Sequence, residues 1–512
     1  VKQKQSGFAL LLFMVVVTGF VIAGYSGILT TSIQKQQEQK RINNVTVLKQ
    51  AKEALLSYAV DYAVRDMGPG GSADGNIDLY RMGKLPCPDA SSAINAEGGQ
   101  DASCGLTGVN SYGYFPFKTV GRGKIEDTAG ECLWYVVSGD YKNNPNNMVN
   151  RDSLGYLNLV DENDNLKHNA SRQNFPIAFI ISPGTTINQD RLPHAALPDC
   201  RANYTLAEYL EDGPNIDYST ELPATSDTLW TFLTASAAAS SSNVNYNDQV
   251  IAIYRNELWD RINALNDFSF DNSAGVGPAA STIERLTQSL AVCLASYGNA
   301  DTNRRLPNPA PLLLTDYRVN SNYDDDDPVL PIPPNPLPTR YGRFPQVINY
   351  VAVPPIVTTN NFVLNAAGSS NCELATGTSY DEYFWENWKD HFYYVVSEDF
   401  DSITATVPDA LKCTVNNCFT IDSKPNKVAA MVIFAGPVES DKSRVWWWND
   451  ATSSVLIDEK QDQTNYLEVD NQTVYTGAVQ DYVMATSPND YSYCVEYDNA
   501  AFTLSAVKCA DL

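Results

Sequence analysis

Histidine is scarce in this 512-residue chain: only His168, His194 and His391 occur, far apart in sequence. There is no C-x-x-C pair, no H-E-x-x-H, no G-x-S-x-G and no phosphate-cradling glycine loop. The usual supports for zinc, nucleotide and acyl-transfer chemistry are therefore missing, and no enzyme is expected. Positive charge is short too. The 35 Lys and Arg against 60 Asp and Glu leave a net charge of −25. That balance argues against a nucleic-acid partner, whose phosphates must be neutralised by basic side chains. Disorder is excluded by a hydrophobic content of 44 % with 8 Trp, 29 Tyr and 18 Phe.

The length exceeds one compact core and implies two or three domains. Ten cysteines are present: Cys87, Cys104, Cys132, Cys200, Cys293, Cys372, Cys413, Cys418, Cys494 and Cys509. An even count behind an export segment reads as disulfides formed in an oxidising compartment. Proximity in sequence suggests Cys87 with Cys104, Cys413 with Cys418 and Cys494 with Cys509, although sequence alone does not fix the connectivity.

The chain opens VKQKQSG and then runs, without a charge, from Phe8 to Thr30. That run is about the 20 residues a helix needs to cross a bilayer at 1.5 Å per residue. Lys2 and Lys4 before it would keep the amino end in the cytoplasm. Leu48, Ala51, Leu55, Tyr58 and Tyr62 continue the pattern three and four apart, like one face of a helix. Two alternatives stay open here. One is a secretory signal cut after Ala23 in Val21-Ile22-Ala23. The other is an unprocessed signal anchor holding a periplasmic binding protein or enzyme.

Gly7 followed by Phe8 and the apolar run to Val17 resembles the type IV prepilin signature. The resemblance implies a leader ending at Gly7, cleavage by a prepilin peptidase, and a mature chain starting at N-methylated Phe8. It implies a helix that sits in the bacterial inner membrane before assembly and later packs in a periplasmic or extracellular pilus among other pilin or pseudopilin subunits. One position departs: Leu12 stands where major pilins carry a glutamate that pairs with a neighbouring subunit's amino terminus. That departure resembles minor pilins and the tip pseudopilin of type II secretion. The segments Ala51-Lys52-Glu53-Ala54-Leu55, Leu85-Pro86-Cys87-Pro88-Asp89, Phe115-Pro116 and Trp134-Tyr135-Val136-Val137-Ser138 also resemble a subgroup of large pilin-like proteins.

Beyond the helix the same features recur in the same order. GKLPCP (83–88) is echoed by RRLPNP (304–309), SYGYFPF (111–117) by TRYGRFP (339–345), and LWYVVSGDY (133–141) by FYYVVSEDF (392–400). FPIAFIISPG (175–184) has the looser partner VAAMVIFAGP (428–437), and the 48–62 helix face is matched by Ile283, Leu286, Leu290, Cys293 and Tyr297. The expected organisation is a leader (1–7), a transmembrane or filament-core helix (8–30), its amphipathic continuation (31–67), a first module (68–266), a linker (267–280) and a duplicated second module (281–512). The expected fold class is α+β: a long hydrophobic helix, then two tandem pilin-like modules of antiparallel sheet with disulfide-stapled loops.

No cofactor is required by this organisation, but calcium suits two acidic stretches that offer several hard oxygens at once: Asp161 and Asp164 in one, Asp324, Asp325, Asp326 and Asp327 in the other. Neither completes the D-x-[DN]-x-[DN]-G loop, and a solvated acidic loop is the commoner outcome for such stretches. In Trp446-Trp447-Trp448, strand alternation puts Trp447 opposite its neighbours. It can either stack on a partner surface or lie under a loop. The expected function is structural: priming, capping or decorating a pilus, with adhesion to a host or abiotic surface at the tip.

Overall fold

In a computed structural model the chain is described at residues 6–65, 83–90, 97–143 (without 103 and 107), 148–160, 174–185, 200, 209, 230–233, 248–263, 282–325 (without 315), 340–346, 385–401 (without 386), 407–436 (without 415 and 416), 438, 442–449 (without 445), 455–467, 481–482 and 491–512. Helix α1 runs unbroken from Ser6 to Arg65. No proline interrupts it, so every i→i−4 bond can form. Near its C-terminal end Leu48, Ala51, Leu55 and Tyr58 face inward at 0–3 % exposure. Burying one such leucine contributes roughly 1.5–3 kcal/mol.

The first half holds β1 (Ser111–Tyr114), β2 (Trp134–Val137), β3 (Leu157–Val160), β4 (Pro176–Ser182), β5 (Trp230–Leu233), β6 (Gln249–Tyr254) and helix α2 (Arg255–Asn263). Strands β1-β2-β4-β6 form one antiparallel sheet in that order. All seven residues of β4 are buried. A strand with both faces covered reads as a continuous apolar run, and α1 packs on β4 and β6 while β3 packs against β4.

The second half begins with α3 (Thr282–Ala300), followed by β7 (Tyr341–Arg343), β8 (Phe392–Val396), β9 (Phe419–Ile421), β10 (Lys424–Phe434), β11 (Trp446–Asn449), β12 (Val455–Asp458), β13 (Asp481–Tyr482), β14 (Tyr491–Asp498) and β15 (Thr503–Lys508). Strands β7-β8-β10-β14-β15 lie side by side, with β9 and β13 extending from β10. Alternation along β10 sends Ala430, Val432 and Phe434 to the main core and Met431 and Ile433 to a second apolar cluster.

Several contacts recur between the halves. Tyr135 donates its hydroxyl to the Pro86 carbonyl at 3.1 Å, and Tyr394 to that of Pro307 at 3.0 Å. The Leu85 amide bonds the Tyr141 carbonyl, as the Leu306 amide bonds that of Phe400. Asp89 bridges to Tyr114 and Ala310 to Arg343. At these bridges the backbones lie so close that a Cβ on Gly113 would sit 2.8 Å from the Asp89 carbonyl oxygen, and one on Gly342 2.1 Å from that of Ala310. Only glycine fits either place.

Two features of the expected fold are corrected. Among the described residues no helix is long and apolar enough to cross a membrane. Nor are the sheets purely antiparallel: β3 pairs parallel with β5, and β9 parallel with β13, so the chain is a mixed α/β structure. The expected linker, 267–280, lies outside the described residues.

Candidate functional site

Where the two halves meet, charged and polar side chains are buried together. The chain after β2 turns at Asn150–Ser153 and brings Asn150 and Asp152 against residues 387–391, which lead into β8. Asn150 Nδ2 donates to the Asn387 carbonyl at 2.9 Å and to Asp390 Oδ1 at 2.8 Å. The Val149 amide donates to Asn387 Oδ1 at 2.9 Å. These bonds tie the first sheet's loop to the second sheet's core.

Asp152 Oδ2 lies 3.1 Å from His391 Nε2 and 3.3 Å from Arg444 Nη1. His391 Nδ1 faces the Ala435 carbonyl at 2.7 Å; since a carbonyl only accepts, Nδ1 carries the hydrogen. Arg444 also donates to the carbonyls of Gly436 and Asn465. Lys460 pairs with Asp390, and Tyr317 donates to Asp458 Oδ1 at 3.0 Å. Arg343, on β7, donates to the carbonyls of Asp390 and Lys460. Its guanidinium lies over the rings of Tyr317, Tyr393 and Tyr466 at 5.1, 4.8 and 4.8 Å. Two buried carboxylates, Asp152 and Asp390, thus meet the fixed cations Arg444 and Lys460 in a space where an unpaired charge would be costly.

The pairing sets the protonation. Burial pushes the Asp152 carboxyl up, but Arg444 and His391 more than offset it and hold the group below the ordinary range. Burial likewise opposes ionisation of Asp390, and Lys460, His391 and Arg343 outweigh it. Burial raises the Tyr393 hydroxyl to about 12. The adjoining cavity, lined by Asp152, Tyr317, Arg318 and Lys460 among others, measures about 30 Å³, room for about two waters. The cluster therefore has the chemistry of a joint: buried ion pairs, Asp152 with Arg444 and Asp390 with Lys460, that tie one half to the other or brace the seam between them.

The expected site residues lie elsewhere. Gly7 and Phe8 fall in the first turns of α1, and Leu12 is 58 % exposed. Disulfides join Cys87 to Cys104, Cys132 to Cys200, Cys413 to Cys418 and Cys494 to Cys509. Cys293 is disulfide-bonded as well, and Cys372 is outside the described residues. Asp161, Asp164, Asp326 and Asp327 are also outside them, and among the described residues no group of three His, Cys, Asp or Glu could hold a metal ion. Trp447 lies in β11 opposite Ile457, and its side chain is not among those described. Sequence reasoning missed the charge cluster. One signal was available: in the repeated Y-G-x-F-P segment, Arg343 replaces Tyr114, a charge where the first copy has an aromatic.

Compared with known proteins, the chain matches no family model, no curated sequence and no solved structure.

Proposed function

We propose that this chain is a structural, non-major subunit of a type IV pilin-like filament or related pseudopilus, acting at its end as primer or cap. The observation that carries this reading is the contrast within α1. Leu48 to Val60 is locked into the body, while Leu12 to Val17 stands 42–67 % exposed on the same helix. A run of exposed apolar side chains marks a surface that another apolar element covers. The described side chains between them, from Lys35 to Asn43, are mostly exposed and polar.

The recurring contacts of the two halves support a head made from one unit used twice. The buried charge cluster supports a head that moves as a single body. One helix carrying so large a head suits a filament end better than a close-packed lattice, and places the head where it meets a host or abiotic surface. Processing between Gly7 and Phe8 belongs to the same reading.

The test is a photo-crosslinking residue at Val16 in the full-length chain, expressed in its own cells. Adducts with the amino-terminal helices of other filament subunits are expected. Adducts with lipid alone, or none, would overturn the proposal.

A further inference from the structure

In the second sheet, β14 is covered on its outer side by β15, from Tyr493 opposite Lys508 to Asp498 opposite Thr503. Strand β6 holds the corresponding place in the first sheet, next to β4 as β14 is next to β10. Yet β6 passes directly into α2 at Arg255, and among the described residues no strand pairs with its outer edge. An unpaired edge is a template for another strand.

Two backbone groups on that edge are occupied by side chains. The Ala252 carbonyl accepts from Lys52 Nζ at 2.8 Å, and the Tyr254 amide donates to Glu257 Oε2 at 2.9 Å. Residues two apart on a strand present their backbone groups to the same side, so both bonds close one edge. Lys52 Nζ and Glu257 also pair with each other, at 2.6 and 2.8 Å to the two carboxylate oxygens. Next to them Arg261 and Glu53 make a two-bond pair at 2.8 Å, again joining α2 to α1.

We infer that Lys52 and Glu257 form a clasp that closes the β6 edge, α2 taking the place that β15 takes in the other sheet. What the clasp excludes is a second copy of this chain. An antiparallel edge is complementary to itself, so two β6 strands can pair about a two-fold axis without any other partner. The clasp operates whatever α1 docks with.

Hydrogen–deuterium exchange on the full-length chain, in a mild detergent that covers the apolar side chains of α1, tests this. In the native protein the Tyr254 amide should exchange slowly and at the same rate at low and high protein concentration. In Glu257→Ala it should exchange about tenfold faster at low concentration, as expected for one lost hydrogen bond. It should become protected again at high concentration, as a second copy adds its strand. The exchanged pair Lys52→Glu with Glu257→Lys keeps opposite charges between the helices but offers the amide no acceptor at 257. It should behave like Glu257→Ala. Unchanged exchange in Glu257→Ala, a rise that does not reverse with concentration, or native-like exchange in the swapped pair would each overturn the inference. So would an equal rise along β4, which would make Glu257 a support of the whole sheet rather than of its edge.

Discussion

The guanidinium of Arg343 lies 4.8 Å from the ring centre of Tyr393, at the place where the first sheet packs Tyr114 against Trp134 with ring centres 4.4 Å apart. An aromatic pair in one sheet is thus a cation–π pair in the other. The substitution brings a fixed charge into a site without solvent. The neighbours of Arg343 answer it: the carbonyls of Asp390 and Lys460 accept its hydrogens, and the Asp390 carboxylate also pairs with Lys460. The joint between the halves is built around that answer.

Asp152→Asn should loosen the joint. Arg444 would lose its carboxylate partner while remaining 2 % exposed, and breaking a buried pair in this way costs about 3–5 kcal/mol. Thermal unfolding followed by tryptophan fluorescence should show a lowered midpoint. A variant as stable as the parent would mean that the cluster does not hold the halves together.

What could be read from sequence was local. Leu48, Ala51, Leu55 and Tyr58 sit three and four apart, and that spacing marks a buried face whatever the remaining fold. The short loops of Cys87–Cys104, Cys413–Cys418 and Cys494–Cys509 are also visible to a reader counting along the chain. Cys132–Cys200, 68 residues apart, is not. The charge cluster was hidden for the same reason on a larger scale: Asp152 and Arg444 are 292 positions apart, and no local pattern records that contact.

Stability should depend on pH at both ends of the range. Despite the burial that raises them, Asp152 and Asp390 stay ionised below the ordinary carboxylate range when folded, and titrate near 4 when unfolded. The unfolded chain therefore takes up protons first on acidification, and stability falls progressively below about pH 4. Lys142 and Lys412 run the other way: burial lowers both to about 8, against about 10.4 when unfolded. Between those values the unfolded chain holds the extra proton, so this contribution rises with pH from about 8 to 10. Denaturation midpoints across the range should show both slopes, and Lys142→Met with Lys412→Met should flatten the alkaline one.

The two bridge glycines should differ in tolerance. An added Cβ meets backbone oxygen at 2.1 Å in Gly342 and at 2.8 Å in Gly113, and neither oxygen belongs to a flexible side chain. Gly342→Ala should therefore lower the thermal midpoint more than Gly113→Ala does. The reverse order would show that the second sheet yields at this point.

Removing disulfides one at a time should follow loop length. Replacing Cys132 and Cys200 by alanine frees a loop of 68 positions, and replacing Cys413 and Cys418 one of 5. Chain entropy assigns about 4 and about 2 kcal/mol to these closures. Unfolding of the two double variants in denaturant should separate in that order.

The filament reading is tested most directly at the amino end of the protein recovered from its own cells. Intact mass and terminal peptide analysis should find a chain that begins at N-methylated Phe8. A chain still carrying Gly7, or one beginning at Gly24, would contradict it.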